Sequence, residues 1–244
     1  MIIKPAADPI GQAISNYFYK DDNSPVTVAS TIVEDEQLPP DYFFRAFNDM
    51  PLLERVALKQ VKGSILDVGA GAGCHALYLQ RQHKTVTALE ISELCCQVMV
   101  DRGVKRVINA DILSFSGQKF DTILLLMNGI GIAGTISGLV TLLNHLKSLL
   151  NKQGKIILDS SDLIYLFEQE DGSFLLDINA DNYYGEINYL LHYKDVTGKP
   201  FSWLFADHVI LTEIAGQCGF NTKLLEYGPH YDYLAELTLI EDEA

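Results

Sequence analysis

Ser64-Ile65-Leu66-Asp67-Val68-Gly69-Ala70-Gly71-Ala72-Gly73-Cys74-His75 runs from an apolar stretch into three glycines at alternate positions and then into a segment of helical character. Glycines reach positive φ without strain and let a ligand approach the main chain, while the first turn of a following helix offers unpaired N–H groups. The segment therefore predicts a strand, a ligand-holding turn and a helix in an α/β protein.

The spacing separates the ligands that use such a turn. A triphosphate loop needs Gly-Lys-Ser/Thr after the glycines, and here Gly73 is followed by Cys74-His75. A dinucleotide turn, G-x-G-x-x-G, would put its third glycine at position 74, where Cys stands, and Asp67 would bring a negative charge close to two phosphates. A ligand that carries an ammonium and no phosphate turns Asp67 into an asset, as an acceptor for turn N–H groups or a partner for the cation.

Outward from the turn, short apolar runs alternate with helical segments, the signature of parallel strands joined by crossover helices. Strands are predicted at Ser64–Val68, Thr85–Glu90, Arg106–Asn109, Phe120–Met127 and Gly154–Asp159, and helices at Cys74–Gln82, Ser92–Arg102 and Gly138–Leu150. Upstream, Ile10–Tyr19 is amphipathic, 21–40 is polar with prolines, and Phe43, Phe44, Phe47, Leu52, Val56 and Leu58 predict one helix from Pro40-Asp41 to Lys62. Downstream, Gly185–Tyr193 and Phe201–Asp207 flank a turn and read as an aromatic antiparallel hairpin. A helix at His208–Cys218 and strands at Lys223–Tyr227 and Tyr233–Ile240 close the chain. The expected division is an N-terminal arm and helix over 1–62, acting as a cap, and a core over 63–244 with an insertion at about 170–207.

Acids close three successive strands. Asp67 ends the first, Glu90 the second, where it can accept ribose hydroxyls, and Asp111 follows the third, where it can accept from an adenine amino group with Ile112 on the ring. Each has a plainer reading as a helix cap or solvated residue. Together they lie at the carboxyl edge, where open α/β sheets bind ligands.

With these residues the segment from about Gly63 to Asp162 resembles the class I S-adenosylmethionine-dependent methyltransferase family. The resemblance implies a doubly wound, mostly parallel seven-stranded Rossmann-like sheet with one antiparallel strand near the C-terminal edge. It implies S-adenosylmethionine as methyl donor and S-adenosylhomocysteine as product. The cofactor set it implies is Asp67, Gly69, Ala70, Gly71, Gly73, Glu90, Ile91, Asp111, Ile112, Asn128 and Gly129, with Arg45 reaching the cofactor carboxylate from the N-terminal side or lying on an ordinary helix surface.

The methyl group is expected to emerge at Asn128-Gly129-Ile130-Gly131. The Asn/Asp-Pro-Pro-Tyr/Phe run of methyltransferases that act on nucleobase or glutamine nitrogen is missing there. Gly129, Gly131 and Gly134 predict a mobile loop, room for a substrate or a plain connection. Direct displacement from a sulfonium needs alignment more than a base. Among His75, His145, His192, Tyr17, Tyr19 and Tyr193, His75 is the leading candidate base because it lies in the first turn of the helix after the glycines. Tyr183, Tyr184, Tyr189, Tyr193, Phe201 and Trp203 either roof an acceptor or pack a small antiparallel layer.

Composition narrows the acceptor. The 244 residues carry 18 Lys+Arg against 32 Asp+Glu, a formal charge of -14, and such a field repels nucleic acid and anionic membranes. Cys74, Cys95, Cys96 and Cys218 show neither metal spacing nor a disulfide pattern. The first residues lack a long apolar core and no stretch approaches the roughly 18 to 20 apolar residues of a membrane span, so a cytoplasmic location is expected. A small-molecule acceptor is the expectation, with no metal. A non-catalytic cofactor-binding module and a protein methyltransferase stand as alternatives, and the oligomeric state is unread.

Overall fold

The computed structural model describes residues 2–169, 171–175 and 182–241. In chain order the elements are α1 (Pro9–Lys20), β1 (Val26–Ser30), β2 (Glu36–Leu38), α2 (Leu52–Gln60), β3 (Ser64–Val68), α3 (Cys74–Arg81), β4 (Thr85–Glu90), α4 (Glu93–Asp101), β5 (Val107–Asn109) and β6 (Phe120–Leu125). After them come α5 (Ile136–Ser148), β7 (Leu150–Ser161), β8 (Glu186–Tyr193), β9 (Val196–Thr197), β10 (Phe201–Leu204), α6 (His208–Gln217), β11 (Phe220–Tyr227) and β12 (Asp232–Leu239).

Seven strands form the central sheet in the order β11-β12-β7-β6-β3-β4-β5. β3, β4, β5, β6 and β7 pair in parallel, and β12 runs antiparallel to both β7 and β11. This is the doubly wound, mostly parallel seven-stranded fold of the class I methyltransferases. Alternation along the strands builds two cores. Leu66, Val68, Ile123, Leu125, Ile156 and Leu158 face α5 and α6, whereas Ile65, Leu124, Ile157, Val86 and Ala88 face α2, α3 and α4. Because both faces are covered, these strands read as continuous apolar runs.

Polar caps fix where the helices start: Ser92 Oγ accepts from Cys95 N at 3.0 Å, Thr135 Oγ1 from Gly138 N at 3.0 Å, and Asp207 from Val209 N and Ile210 N. α3 differs, because Gly73 at its N-cap supplies no side chain.

The expected helix over Pro40–Lys62 is broken. Short 3-10 turns occupy Pro40–Phe44 and Phe47–Asp49, and α2 starts only at Leu52. Arg45 and Ala46 are extended, and Pro51 accounts for the second break: the residue before a proline is pushed out of the helical region, and Met50 lies at φ -73, ψ 144. β6 also ends two residues early, since Met127 and Asn128 take φ of 63° and 53°.

The N-terminal arm and the insertion, apart in sequence, share a second sheet. Its order is β10-β8-β1-β2 with β9 on β8, and β1 pairs antiparallel with β8 through Thr27↔His192 to Ser30↔Tyr189. The aromatic hairpin thus supplies three strands of a five-stranded layer, β8, β9 and β10, and the arm adds the other two as well as a helix. The part of the expected insertion at 170 and 176–181 lies outside the described residues.

Candidate cofactor and acceptor site

The three glycines of the turn after β3 all take positive φ: 69° at Gly69, 55° at Gly71 and 82° at Gly73. They differ in what a side chain would meet. A Cβ on Gly69 would meet only Ile132 Cδ1, at 3.5 Å, so that position opens on free space. A Cβ on Gly73 would lie 2.9 Å from Met99 Cγ and 3.0 Å from Val104 Cγ2, so Gly73 serves the packing of the turn against α4.

Above the turn lies a cavity of about 930 Å³, at the upper end of the roughly 300–1,000 Å³ typical of ligand pockets. Its floor is the carboxyl edge of the central sheet. Of the residues singled out in the sequence, Asp67, Gly69, Ala70, Gly71, His75, Glu90, Ile91, Asp111, Ile112, Asn128 and Gly129 border it. Arg45 and Gly73 do not.

Glu90 is fixed by the turn it faces, Oε2 accepting from Gly71 N at 2.9 Å and Oε1 from Ser92 N at 2.9 Å. Burial raises its pKa above the usual carboxylate value, against the pull of those N–H donors. Asp111 caps a 3-10 turn at Ile112–Ser114 by accepting from Leu113 N at 3.0 Å. Asn128 sits at left-handed φ and ties the end of β6 to its surroundings: its N–H donates to Asp159 Oδ1 at 3.0 Å and its Nδ2 to Leu204 O at 3.1 Å. Asn128 Oδ1 and Asp67 Oδ2 are buried without a hydrogen-bond partner among the described residues, which at a cavity wall marks acceptors aimed at a ligand.

Arg45, expected either to reach the cofactor carboxylate or to lie on an ordinary helix surface, is engaged within the protein. Its side chain is 8 % exposed, its Nη2 donates to both oxygens of Glu54 at 2.7 and 2.8 Å, and its guanidinium lies 3.5 Å above the Tyr42 ring. Two carboxylate oxygens at hydrogen-bond distance outcompete a more distant anion. Glu54 also accepts from His75 Nε2 at 2.5 Å, and His75 Nδ1 lies 3.9 Å from Asp67 Oδ1. Burial works against a charge on His75, but Cys74, Glu54 and Asp67 beside it outweigh that and hold its pKa well above the usual histidine value. His75 is thus tied to Glu54 within the packing beneath the turn. Burial pushes Asp159 up to about 7, with Glu54 adding to the rise and Asn128 N–H opposing it.

The remaining candidate bases are engaged elsewhere. His145 Nε2 bonds Phe115 O, His192 Nδ1 bonds Thr197 Oγ1, and Tyr193 OH accepts from Asn16 Nδ2. Tyr17 packs on Phe44, and Tyr19 OH donates to Asp101. Among the described residues His75 is the only histidine that borders the cavity.

The other cavity walls were not legible as functional in the sequence. The first residues form a strap beside Glu90: Ile3 N donates to Ile91 O at 2.9 Å, Lys4 pairs with Glu93, and Asp8 Oδ2 accepts from Ser92 Oγ at 2.5 Å. The small sheet forms the roof, chiefly through Val28, Leu38, Tyr189, Leu191, Phe201 and Trp203, with Glu36 at its edge and Phe205 just after β10. Trp203 docks on the loop after β6, because a Cβ on Gly131 would fall 2.0 Å from its Nε1. That loop is a packed 3-10 turn over Gly129–Ala133, with Gly129, Ile130 and Gly131 buried, rather than a loose connection. All four cysteines are buried and free.

Comparison with known proteins agrees with this geometry. A methyltransferase-domain family model matches residues 66–158. A crystal structure of a S-adenosylmethionine-dependent methyltransferase from Bacteroides fragilis, in complex with S-adenosylhomocysteine, is 42% identical, with 99% of this chain and 98% of that one covered and a TM-score of 0.92. A sugar N-methyltransferase from Streptoalloteichus is similar in fold at 18% identity, 87% and 98% coverage and a TM-score of 0.57. So is the 1,6-didemethyltoxoflavin N1-methyltransferase of Burkholderia thailandensis, at 17% identity, 80% and 81% coverage and a TM-score of 0.53. No curated protein matches the chain.

The chain belongs to the S-adenosylmethionine-dependent methyltransferases, and S-adenosylmethionine is its cofactor. The residues present fit that cofactor: the open positive-φ turn, the fixed Glu90 carboxylate and the partnerless Asp67 Oδ2 suit a ligand with hydroxyls and an ammonium and without phosphate.

Proposed function

We propose that the chain methylates a small-molecule acceptor held between the carboxyl edge of the central sheet and the β10-β8-β1-β2 roof. The observation that carries this reading is one cavity bordered on one side by the glycine turn, Glu90 and Asp111 and on the other by Tyr189, Phe201 and Trp203. A cofactor and a second small molecule fit side by side in such a space, whereas the roof and the N-terminal strap obstruct a polymer. The formal charge of -14 works in the same direction against nucleic acid. The fold-level neighbours that act on a sugar nitrogen and on a toxoflavin precursor are in keeping with it.

In this reading Glu90 accepts from the ribose hydroxyls, with Ile91 beside it, and Asp111 and Ile112 hold the adenine. Gly69, Ala70 and Gly71 let the main chain approach the methionine end, and Gly73 keeps the turn seated on α4. Asp67 attracts the ammonium, while Asn128 and Gly129 line the point of transfer. The cofactor supplies an electrophilic methyl group on a sulfonium. The protein contributes alignment and exclusion of water, and His75 serves the turn rather than taking a proton. Residues 1–62 and the insertion at about 170–207 act together as the cap of the core over 63–244. The setting is the cytoplasm, where four unpaired buried thiols are at home. Among the described residues no helix is long and apolar enough to cross a membrane.

The test is transfer from methyl-labelled S-adenosylmethionine in a cell extract, with metabolite and macromolecule fractions counted separately. Label in the metabolite fraction is the expected result. Label confined to protein or nucleic acid, or none despite S-adenosylhomocysteine binding, would overturn the reading and restore the protein-methyltransferase or binding-module alternatives.

A further inference from the structure

The roof carries a pattern that narrows the acceptor further. Residues on one face of a sheet lie at alternate positions and directly opposite their partners on the next strand. Phe201 stands opposite Tyr189, Leu191 opposite Val28, and Val28 opposite Glu36. Trp203 shares the face of Phe201, and all of these side chains border the cavity. The face is thus aromatic on β10 and β8, aliphatic on β1, and ends in one carboxylate on β2.

Glu36 is exposed on this edge strand at the rim of the cavity, and no hydrogen-bond or ion-pair partner is found for it among the described residues. Its charge reaches the aromatic wall: Tyr189 is pushed up to about 12, first by burial and then by Glu36. The lysines that border the cavity stand apart from it. Lys4 is engaged by Glu93, and Lys199 belongs to the turn on the far side of β8, where Gly198 lies against Pro9.

Resting on the small-molecule reading above, we infer that the acceptor is an elongated amine: an aromatic or apolar body lies along Trp203, Phe201 and Tyr189, and its cationic end is held at Glu36. Three strand spacings across the sheet, about 14 Å at about 4.8 Å each, and four residues along it, about 13 Å at about 3.3 Å each, put the Trp203 and Glu36 backbones about 20 Å apart. The end of the acceptor opposite the cation therefore lies at Trp203, which docks on the Asn128–Gly131 turn where the methyl group is transferred. Aromatic faces and a carboxylate both attract an ammonium group. At the other end the lone pair of a neutral acceptor atom forms the new bond to carbon, the carbon–sulfur bond breaks with its electron pair left on sulfur, and the positive charge passes to the acceptor, which releases any surplus proton to water.

Trp203 is the only tryptophan of the chain and reports on this wall directly. The experiment follows its fluorescence in protein saturated with S-adenosylhomocysteine during titration with 8-phenyloctylamine, 8-phenyloctanol and 8-phenyloctanoate, three elongated probes of one shape and different charge. The amine is expected to bind about two- to fivefold tighter than the alcohol, and the acid weakest, as one exposed charge pair allows. In Glu36→Gln the amine loses its advantage while the alcohol is unchanged. Equal or inverted ranking in the unaltered protein, an amine preference that survives Glu36→Gln, or no response to any probe would overturn the inference. These outcomes are distinct from failure of the small-molecule reading, which is seen as label confined to macromolecules whatever the probe ranking.

Discussion

His75 Nε2 donates to Glu54 Oε2 at 2.5 Å beneath the glycine turn, which makes Glu54 the hub of a buried chain of charges from Arg45 through His75 to Asp67. The other cation on Glu54 is Arg45, and the two together hold its carboxyl below the usual range despite burial. A hub of this kind cannot be removed without stranding two cations. Glu54→Ala is expected to destabilise the protein by about 3–5 kcal/mol, the usual result of breaking a buried ion pair. In a chain of this size that lowers Tm by roughly 6–20 °C, and urea unfolding at neutral pH checks it. A loss under about 1 kcal/mol would mean that water reaches the cluster and screens it.

Glu90 faces the cavity while bonded to Gly71 N and Ser92 N. Glu90→Ala removes an anionic acceptor for ligand hydroxyls and is expected to weaken S-adenosylhomocysteine binding by about 10- to 100-fold, since hydrogen bonds to charged groups are worth roughly 1.5–3 kcal/mol. Isothermal titration is the check, with NAD as a control that gives no heat. An unchanged affinity would move the ribose away from the end of β4.

What was legible in the sequence was local. The apolar run before Asp67 and the alternate glycines act within a few residues of themselves, and Glu90 closes the next strand at a regular spacing, so spacing alone exposed them. The partner of Arg45 was not legible because it depends on extended backbone at Arg45 and Ala46 and a further break before Pro51, which together bring Arg45 to Glu54. Pro51 was visible, and weighing it as a helix breaker would have found the break. The roof was illegible for a different reason. β1 meets β8 across roughly 160 residues, and the alternation of Val26, Val28 and Ser30 says that a strand exists without naming its partner.

Asp159 gives the protein a pH signature. Its pKa, raised to about 7 chiefly by burial, means that the folded state holds a proton there that the unfolded chain has released. Stability therefore falls as pH rises from the ordinary carboxylate range through 7. Asp67 and Glu90, also raised by burial, slope the same way. His75 adds a contribution that is full below its unfolded value of about 6.5 and lost above it as pH climbs through the raised one. The protein is thus expected to be more stable at pH 5.5 than at pH 8. Asp159→Asn, which keeps an acceptor for Asn128 N–H, should flatten part of that slope and be more stable than the parent at pH 8. Urea unfolding at the two pH values decides it, and parallel slopes for parent and variant would place the responsible proton elsewhere.

Gly131 separates the acceptor wall from the cofactor. A Cβ there would lie 2.0 Å from Trp203 Nε1 and 2.2 Å from Cε2, a clash that only displacement of the indole relieves. Gly131 has no positive φ, so alanine adds bulk without backbone strain. Gly131→Ala should leave S-adenosylhomocysteine affinity within about twofold, since Glu90 and the turn are untouched, yet shift Trp203 emission as the ring leaves its seat. Loss of one aromatic contact is worth about 1 kcal/mol, so methylation of subsaturating acceptor should fall about fivefold. Should cofactor affinity fall as far as acceptor methylation, Trp203 would belong to the cofactor's enclosure, and the division of the cavity into a donor floor and an acceptor roof would have to be redrawn.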